Sequence, residues 1–190
     1  MRNMTHIAVA PMLALLTMPV NAQGWFWQSG ARVFAEQNDN IHLSNSNVVD
    51  AASVGVSARA SVSLESEVSK VSISPRMSFR QYSADQDLDH GSAGLDLDAV
   101  QILERIALGL KAQMARDSTL HSELEDSGDL SYQVDRNNFN VEPSLRYKVT
   151  PLSTIRVGGG YRYVDYVDGE ARGYYDYNQA SANLAYEVDM

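Results

Sequence analysis

Residues 136–168 read RNNFNVEPSLRYKVTPLSTIRVGGGYRYVDYVD, two strands joined by one tight turn. In the first strand Phe139, Val141, Pro143, Leu145, Tyr147 and Val149 fall on one face, against Asn138, Asn140, Glu142, Ser144, Arg146 and Lys148. After Thr150-Pro151-Leu152-Ser153 the pattern repeats, with Ile155, Val157, Gly159, Tyr161 and Tyr163 alternating with Arg156, Gly158, Gly160 and Arg162. Successive side chains of a strand point to opposite faces, so this is a hairpin with one apolar and one charged face. What each face touches decides the function.

Working outward, the same alternation recurs. Strand one is expected from about Trp25 to Gln37, imperfectly, because Phe34 falls among Gln28, Arg32 and Glu36. Strand two sets Val54, Val56, Ala58, Ala60, Val62 and Leu64 against Ser53, Gly55, Ser57, Arg59, Ser61 and Ser63. Strand three sets Val71, Ile73, Pro75, Met77 and Phe79 against Lys70, Ser72, Ser74, Arg76, Ser78 and Arg80. Strand four, from about Leu95 to Ile102, breaks its alternation between Ala99 and Val100, and LDAVQILERIALGLKAQMA also reads as an amphipathic helix. Strand five places Ile106, Leu108, Leu110, Ala112 and Met114 opposite Ala107, Gly109, Lys111 and Gln113. Strand eight opposes Ala180, Ala182, Leu184, Tyr186 and Val188 to Gln179, Ser181, Asn183 and Glu187.

Polar loops are expected at 38–50, 83–94, 117–135 and 168–176, with short connections near Glu65–Glu67, Glu104 and Pro151. Connections thus alternate long and short along eight strands of membrane-spanning length. That pattern predicts an antiparallel up-and-down transmembrane β-barrel with short periplasmic turns and long external loops. Pro75 and Pro143 on apolar faces are awkward inside a paired sheet, since proline donates no ladder hydrogen bond.

The address agrees. In Met1–Ala22, Arg2, the apolar run Ile7–Leu16 and Val20-Asn21-Ala22 read as a secretory signal peptide, leaving 23–190 as the barrel domain. The formal net charge is −9 and there is no cysteine, so disulfides, thiol nucleophiles and thiolate metal sites are excluded. Nucleic acid is not an expected partner of so acidic a chain.

Charge is sorted by face. Arg59, Arg76, Arg80, Lys111, Arg146, Lys148, Arg156 and Arg162 all fall on polar strand faces, with few acids beside them: Glu36, Glu142 and Glu187. A Lys or Arg facing lipid at mid-membrane costs roughly 2–4 kcal/mol, so the charged face is expected to line the lumen. A cationic lumen would favour anionic solutes or glycans. An eight-stranded lumen is only about wide enough for side chains, which favours a filled interior over an open pore.

Tyr161, Tyr163, Tyr166, Tyr174, Tyr175 and Tyr177 are expected as an aromatic girdle at the membrane boundary. The run Asp85-Gln86-Asp87-Leu88-Asp89-His90-Gly91, with Asp96 twelfth, has the look of a calcium loop but puts His90 where glycine belongs. An acidic loop bridged to lipopolysaccharide is the plainer reading. No metal site, no cofactor and no catalytic constellation is expected, and hence no enzyme.

The segments EQNDNIHLS, SPRMSFRQYS, RDSTLHSELEDSG and PSLRYKVTPLSTIRVGGGYRYVDY resemble the β-barrel porins of Gram-negative bacteria often associated with exopolysaccharide production. The resemblance spans nearly all of 23–190 on loose motifs. It implies an outer-membrane barrel that helps export or anchor a polysaccharide, and it carries over no catalytic residue. The end, Glu187-Val188-Asp189-Met190, lacks the final aromatic such barrels commonly have, so both a compact and a truncated barrel stay open.

The expected function is a passive conduit or structural barrel for anionic solutes or exopolysaccharide, seated in outer-membrane lipid and lipopolysaccharide. The alternatives are a filled barrel that binds a surface partner through acidic, Tyr-rich loops, and a soluble periplasmic barrel or sandwich with its apolar faces turned inward.

Overall fold

The computed structural model describes residues 24–38, 51–83, 89–119 and 134–189. Residues 1–22, expected as a signal peptide, and most of the long loops after the first, third and fifth strands lie outside the described residues.

One sheet contains the strands β1 (Gly24–Asn38), β2 (Ala51–Glu65), β3 (Ser69–Tyr82), β4 (His90–Ile102), β5 (Ile106–Ser118), β6 (Asp135–Thr150), β7 (Ser153–Tyr166) and β8 (Tyr177–Val188). Their order in space is their order in sequence, and every neighbouring pair is antiparallel. The all-β, eight-stranded, up-and-down architecture read from the alternation is therefore present. So is the alternation of connections. Ser66–Val68 and Pro151–Leu152 are tight turns held by hydroxyls: Ser66 Oγ accepts from Ser69 N at 3.0 Å, and Thr150 Oγ1 from Leu152 N at 3.3 Å.

The helical reading of 97–115 gives way to β4 and β5. Register runs straight through the supposed break, pairing Ala99 with Leu110 and Val100 with Gly109. Val100 and Ile102 simply fall on the polar side, a departure from pattern that costs little at a half-exposed strand end. β4 also starts at His90, inside the expected loop, because Tyr82 N donates to Asp89 Oδ1 at 2.7 Å and closes that end of the hairpin. Pro143 is accommodated within an unchanged register: β6 and β7 keep step from Val141↔Tyr161 to Ser144↔Gly158, with no ladder pair at the proline itself.

Closure is where expectation and structure part. β1 pairs only with β2 and β8 only with β7, so the expected barrel is an open sheet with two free edges. The physical reason is that closure depends on how far a sheet coils about a common axis, which strand alternation does not set. Near the long-loop end of β2 the polar face is the enclosed one, Ser53 being 4% exposed beside Val54 at 56%. In β5 Ala112 is buried on the apolar face, whereas Met114, the next residue on that face, is 56% exposed. No second layer covers either face. Among the described residues the buried apolar set is only Ala112, Val134 and Val164.

Candidate functional site

The register decides which residues share a face. Arg59, Arg76, Arg80, Lys111, Arg146, Lys148, Arg156 and Arg162 all lie on the same side of the sheet, joined there by Arg32, Lys70 and Arg136. Sequence reading understated the acids of this face. Asp96 and Asp98 of β4, Asp117 of β5 and Glu65 of β2 also lie on it. The signal was available, since Asp96 and Asp98 follow the period of His90, Ser92 and Gly94, but the apparent break at Ala99 obscured it.

Toward the long-loop end Arg80, Arg76 and Arg136 each have a carboxylate partner. Arg80 Nη1 lies 3.1 Å from Glu36 Oε2, reaching across β2, and its guanidinium stacks on the Phe34 ring 4.9 Å from the centroid. Arg32 approaches the same ring at 5.8 Å. This explains the imperfect alternation of β1. Phe34 belongs on the charged face because Gly55 opposite leaves room for its ring, and cations over an aromatic face are attracted by its quadrupole. Arg76 pairs with Asp96, whose other oxygen accepts from Gln113 Nε2 at 3.0 Å. Arg136 binds Asp117 through two hydrogen bonds, 2.7 and 3.2 Å. Serines fill between them, Ser61 with Ser74 at 2.9 Å and Ser78 with Ser92 at 2.8 Å.

Asp96 is thus a strand residue engaged with Arg76 and Gln113, which removes it from any calcium loop; residues 84–88 lie outside the described residues. Among the described residues no group of carboxylates and histidines could hold a metal.

At the short-turn end the pattern changes. Arg156 Nη2 pairs with Glu187 Oε2 at 2.8 Å, but Arg146 and Lys148 form no ion pair among the described residues. Arg146 borders a recess of about 450 Å³ with Arg156, Lys111, Ser144 and Asn183. A neighbouring recess of about 430 Å³ is lined by amides, Gln113, Asn138, Asn140, Gln179 and Asn183, together with Arg162. The buried Oδ1 of Asn138 has no hydrogen-bond partner there, a cost normally met by water or a ligand.

The apolar face has its own order. The tyrosines expected as one girdle divide: Tyr161 and Tyr163 lie on the apolar face, Tyr166 and Tyr177 on the polar face, and Tyr174 and Tyr175 in the loop between. That loop is built on a 3-10 turn, Glu170–Arg172, with Tyr166 packed on Tyr174 and Tyr166 N donating to Asp176 Oδ1 at 2.9 Å. A second aromatic group went unnoticed in the sequence. Trp25, Trp27, Tyr147 and Tyr186 mark the apolar face near the short-turn end, the tryptophans 70% and 79% exposed. Beyond Met114, Phe139 and Tyr163 the apolar face turns polar at the long-loop end, where Arg116 pairs with Asp135 at 3.1 Å and Asn137 with Asp165 at 3.0 Å. The face is an apolar band with aromatic residues toward both borders.

Among the described residues no helix is long and apolar enough to cross a membrane, which leaves crossing by strands untouched. No family model, curated protein or solved structure matches this chain.

Proposed function

We propose that this chain forms a membrane-spanning antiparallel β-barrel of the Gram-negative outer membrane, closed by β1 against β8. Its apolar face meets lipid, its charged face lines the interior, and it serves as a porin-like passive conduit or structural barrel for anionic or glycan material. One observation carries the reading: a wide apolar face, from Trp25 and Trp27 through Val56, Ile73, Leu95 and Val157 to Leu184, is exposed, with no second layer over it among the described residues. Burying such side chains is worth roughly 1.5–3 kcal/mol each, and water gives none of it back. A bilayer does. The ionic network on the opposite face supports the same orientation, since charges facing lipid are costly and an eight-stranded interior is filled by its own side chains. The amide-lined recess adds groups suited to sugar hydroxyls. The resemblance to exopolysaccharide-associated porins points the same way.

Folding the chain into detergent or vesicles and comparing heated with unheated gel migration tests the proposal, alongside outer-membrane fractionation in a Gram-negative host. Heat-modifiable migration and outer-membrane recovery are expected. A chain that stays in the soluble periplasmic fraction with unmodified migration contradicts it.

A second reading rests on one specific feature. The apolar face of β3–β7 holds a recess of about 580 Å³ lined by Val71, Leu108, Leu110, Leu145 and Val157. Curled further that way, the sheet would become a soluble barrel with an apolar interior for a lipophilic ligand. The same fractionation separates the two.

A further inference from the structure

We infer that Arg146 and Arg156 form a seat for an oxyanion, the phosphate, sulfate or carboxylate group of a small solute, at the short-turn end of the charged face. The inference rests on the proposed reading of that face as the interior of a barrel, and it adds a named site to it.

The two arginines are direct partners on adjacent antiparallel strands. Like charges placed directly opposite repel and destabilise a sheet, so such a pair calls for an intervening anion. Among the described residues only one of the two has an ion-pair partner. Glu187 holds Arg156 from the far side, at 2.8 Å on β8, and leaves Arg146 without an acid. Lys148, the next residue on this face of β6, has none either.

Space is available because the positions around Arg146 are small. Ala107 is opposite it on β5, Gly109 and Gly158 lie on the diagonals, and Ser144 precedes it on the same face. The recess that results, about 450 Å³, exceeds what an oxyanion occupies and admits the solute bearing it. Arg156 is 45% exposed, so water and solutes reach it. The nearest acids of the recess besides Glu187 are Asp98 and Glu142, set toward the middle of the strands beside Lys111. Two guanidiniums carried on directly paired residues supply several N–H donors to a single oxyanion, and such charge-assisted hydrogen bonds are the strong ones.

The contrast with the long-loop end sharpens the assignment. There Arg80, Arg76 and Arg136 each have a carboxylate, and Phe34 with two guanidiniums fills the space over Gly55. The short-turn end has pairs of its own, Lys70 with Glu65 at 2.6 Å and Arg156 with Glu187 at 2.8 Å, and among the described residues Arg146 and Lys148 are left there without a carboxylate.

The test titrates inorganic phosphate into the chain folded in a non-ionic detergent, using only material that shows heat-modifiable migration, and follows the arginine side-chain NMR resonances and the unfolding midpoint. A saturable response is expected, weakened roughly tenfold or more in Arg146→Gln and in Arg156→Gln. Arg116→Gln, on the opposite face of the sheet and paired with Asp135, should bind as wild type does. Glu187→Gln frees Arg156 and should tighten binding. An unresponsive wild type, or an Arg146→Gln protein that binds equally well, overturns the seat and leaves the barrel standing. A response to vesicles of phosphatidylglycerol with none to phosphate would make a lipid headgroup the ligand and overturn the solute assignment. A chain that never becomes heat-modifiable sinks both the barrel and the seat.

Discussion

Arg80 and Glu36 meet at 3.1 Å although a whole strand lies between them. Their strands flank β2, and the pair closes above Gly55, where a Cβ atom would come within 2.4 Å of the Phe34 ring and 2.8 Å of the Phe79 carbonyl oxygen. Glycine at 55 is what lets β1 and β3 communicate over β2. Replacing it with valine should destabilise the folded chain by about 1–3 kcal/mol, the cost of overpacking. Gly30→Ala, where nothing lies within 4 Å, should be neutral or stabilising. Urea unfolding in detergent measures both, and equal effects would discount the crowding over Gly55.

The Arg76–Asp96 pair is a different case. Its side chains are 42% and 31% exposed, so water screens the attraction. Asp96→Asn should cost only about 0.5–1 kcal/mol, and that difference should fade as salt is raised toward ~1 M. A salt-independent loss of several kcal/mol would mean the pair is sealed from water.

Lipid contact predicts an asymmetry between adjacent residues. Leu145→Arg places a cation in the apolar band and should cost about 2–4 kcal/mol for folding into vesicles. Ser144→Arg, one residue earlier and on the other face, should be tolerated, though crowding against Gly109 and Arg146 gives it a smaller cost of its own. Reversal of this order would place the apolar face inside.

Closure can be trapped chemically, because the chain contains no cysteine of its own. The turns step steadily along the sheet from β1 to β8, and with the shear of about eight to ten typical of eight-stranded barrels, Ala31 would face Leu184 or Tyr186. Faces match in both registers. Cysteine at 31 combined with cysteine at 184 or 186 should form an intramolecular disulfide on oxidation in vesicles. Disulfide-linked dimers alone would show instead that the β1 and β8 edges serve to join separate copies.

Strand alternation made most of this architecture legible. The period of two, the long and short connections and the clean faces of β2, β3, β6 and β7 were enough to place the eight strands and the shared face of Arg59 through Arg162. Closure was not legible, because it depends on how far the sheet coils rather than on any local pattern, and the same alternation suits an open sheet, a barrel with lipid outside and a barrel with an apolar core. Which cations of the charged face have a carboxylate was also hidden. It depends on cross-strand register: Asp96 beside Arg76, Asp117 beside Arg136, and Ala107 and Arg156 beside Arg146. Phe34 looked like noise in a strand pattern until Gly55 was found opposite.

The most direct measurement uses the protein's own probes. Trp25 and Trp27 are its only tryptophans, and both sit on the apolar face. Folded into vesicles whose acyl chains carry bromine, the protein should lose most of its tryptophan fluorescence relative to unbrominated vesicles, with strongest quenching by bromines set shallow in the chains. Emission that is unchanged by bromine at every depth would contradict an apolar face turned to lipid.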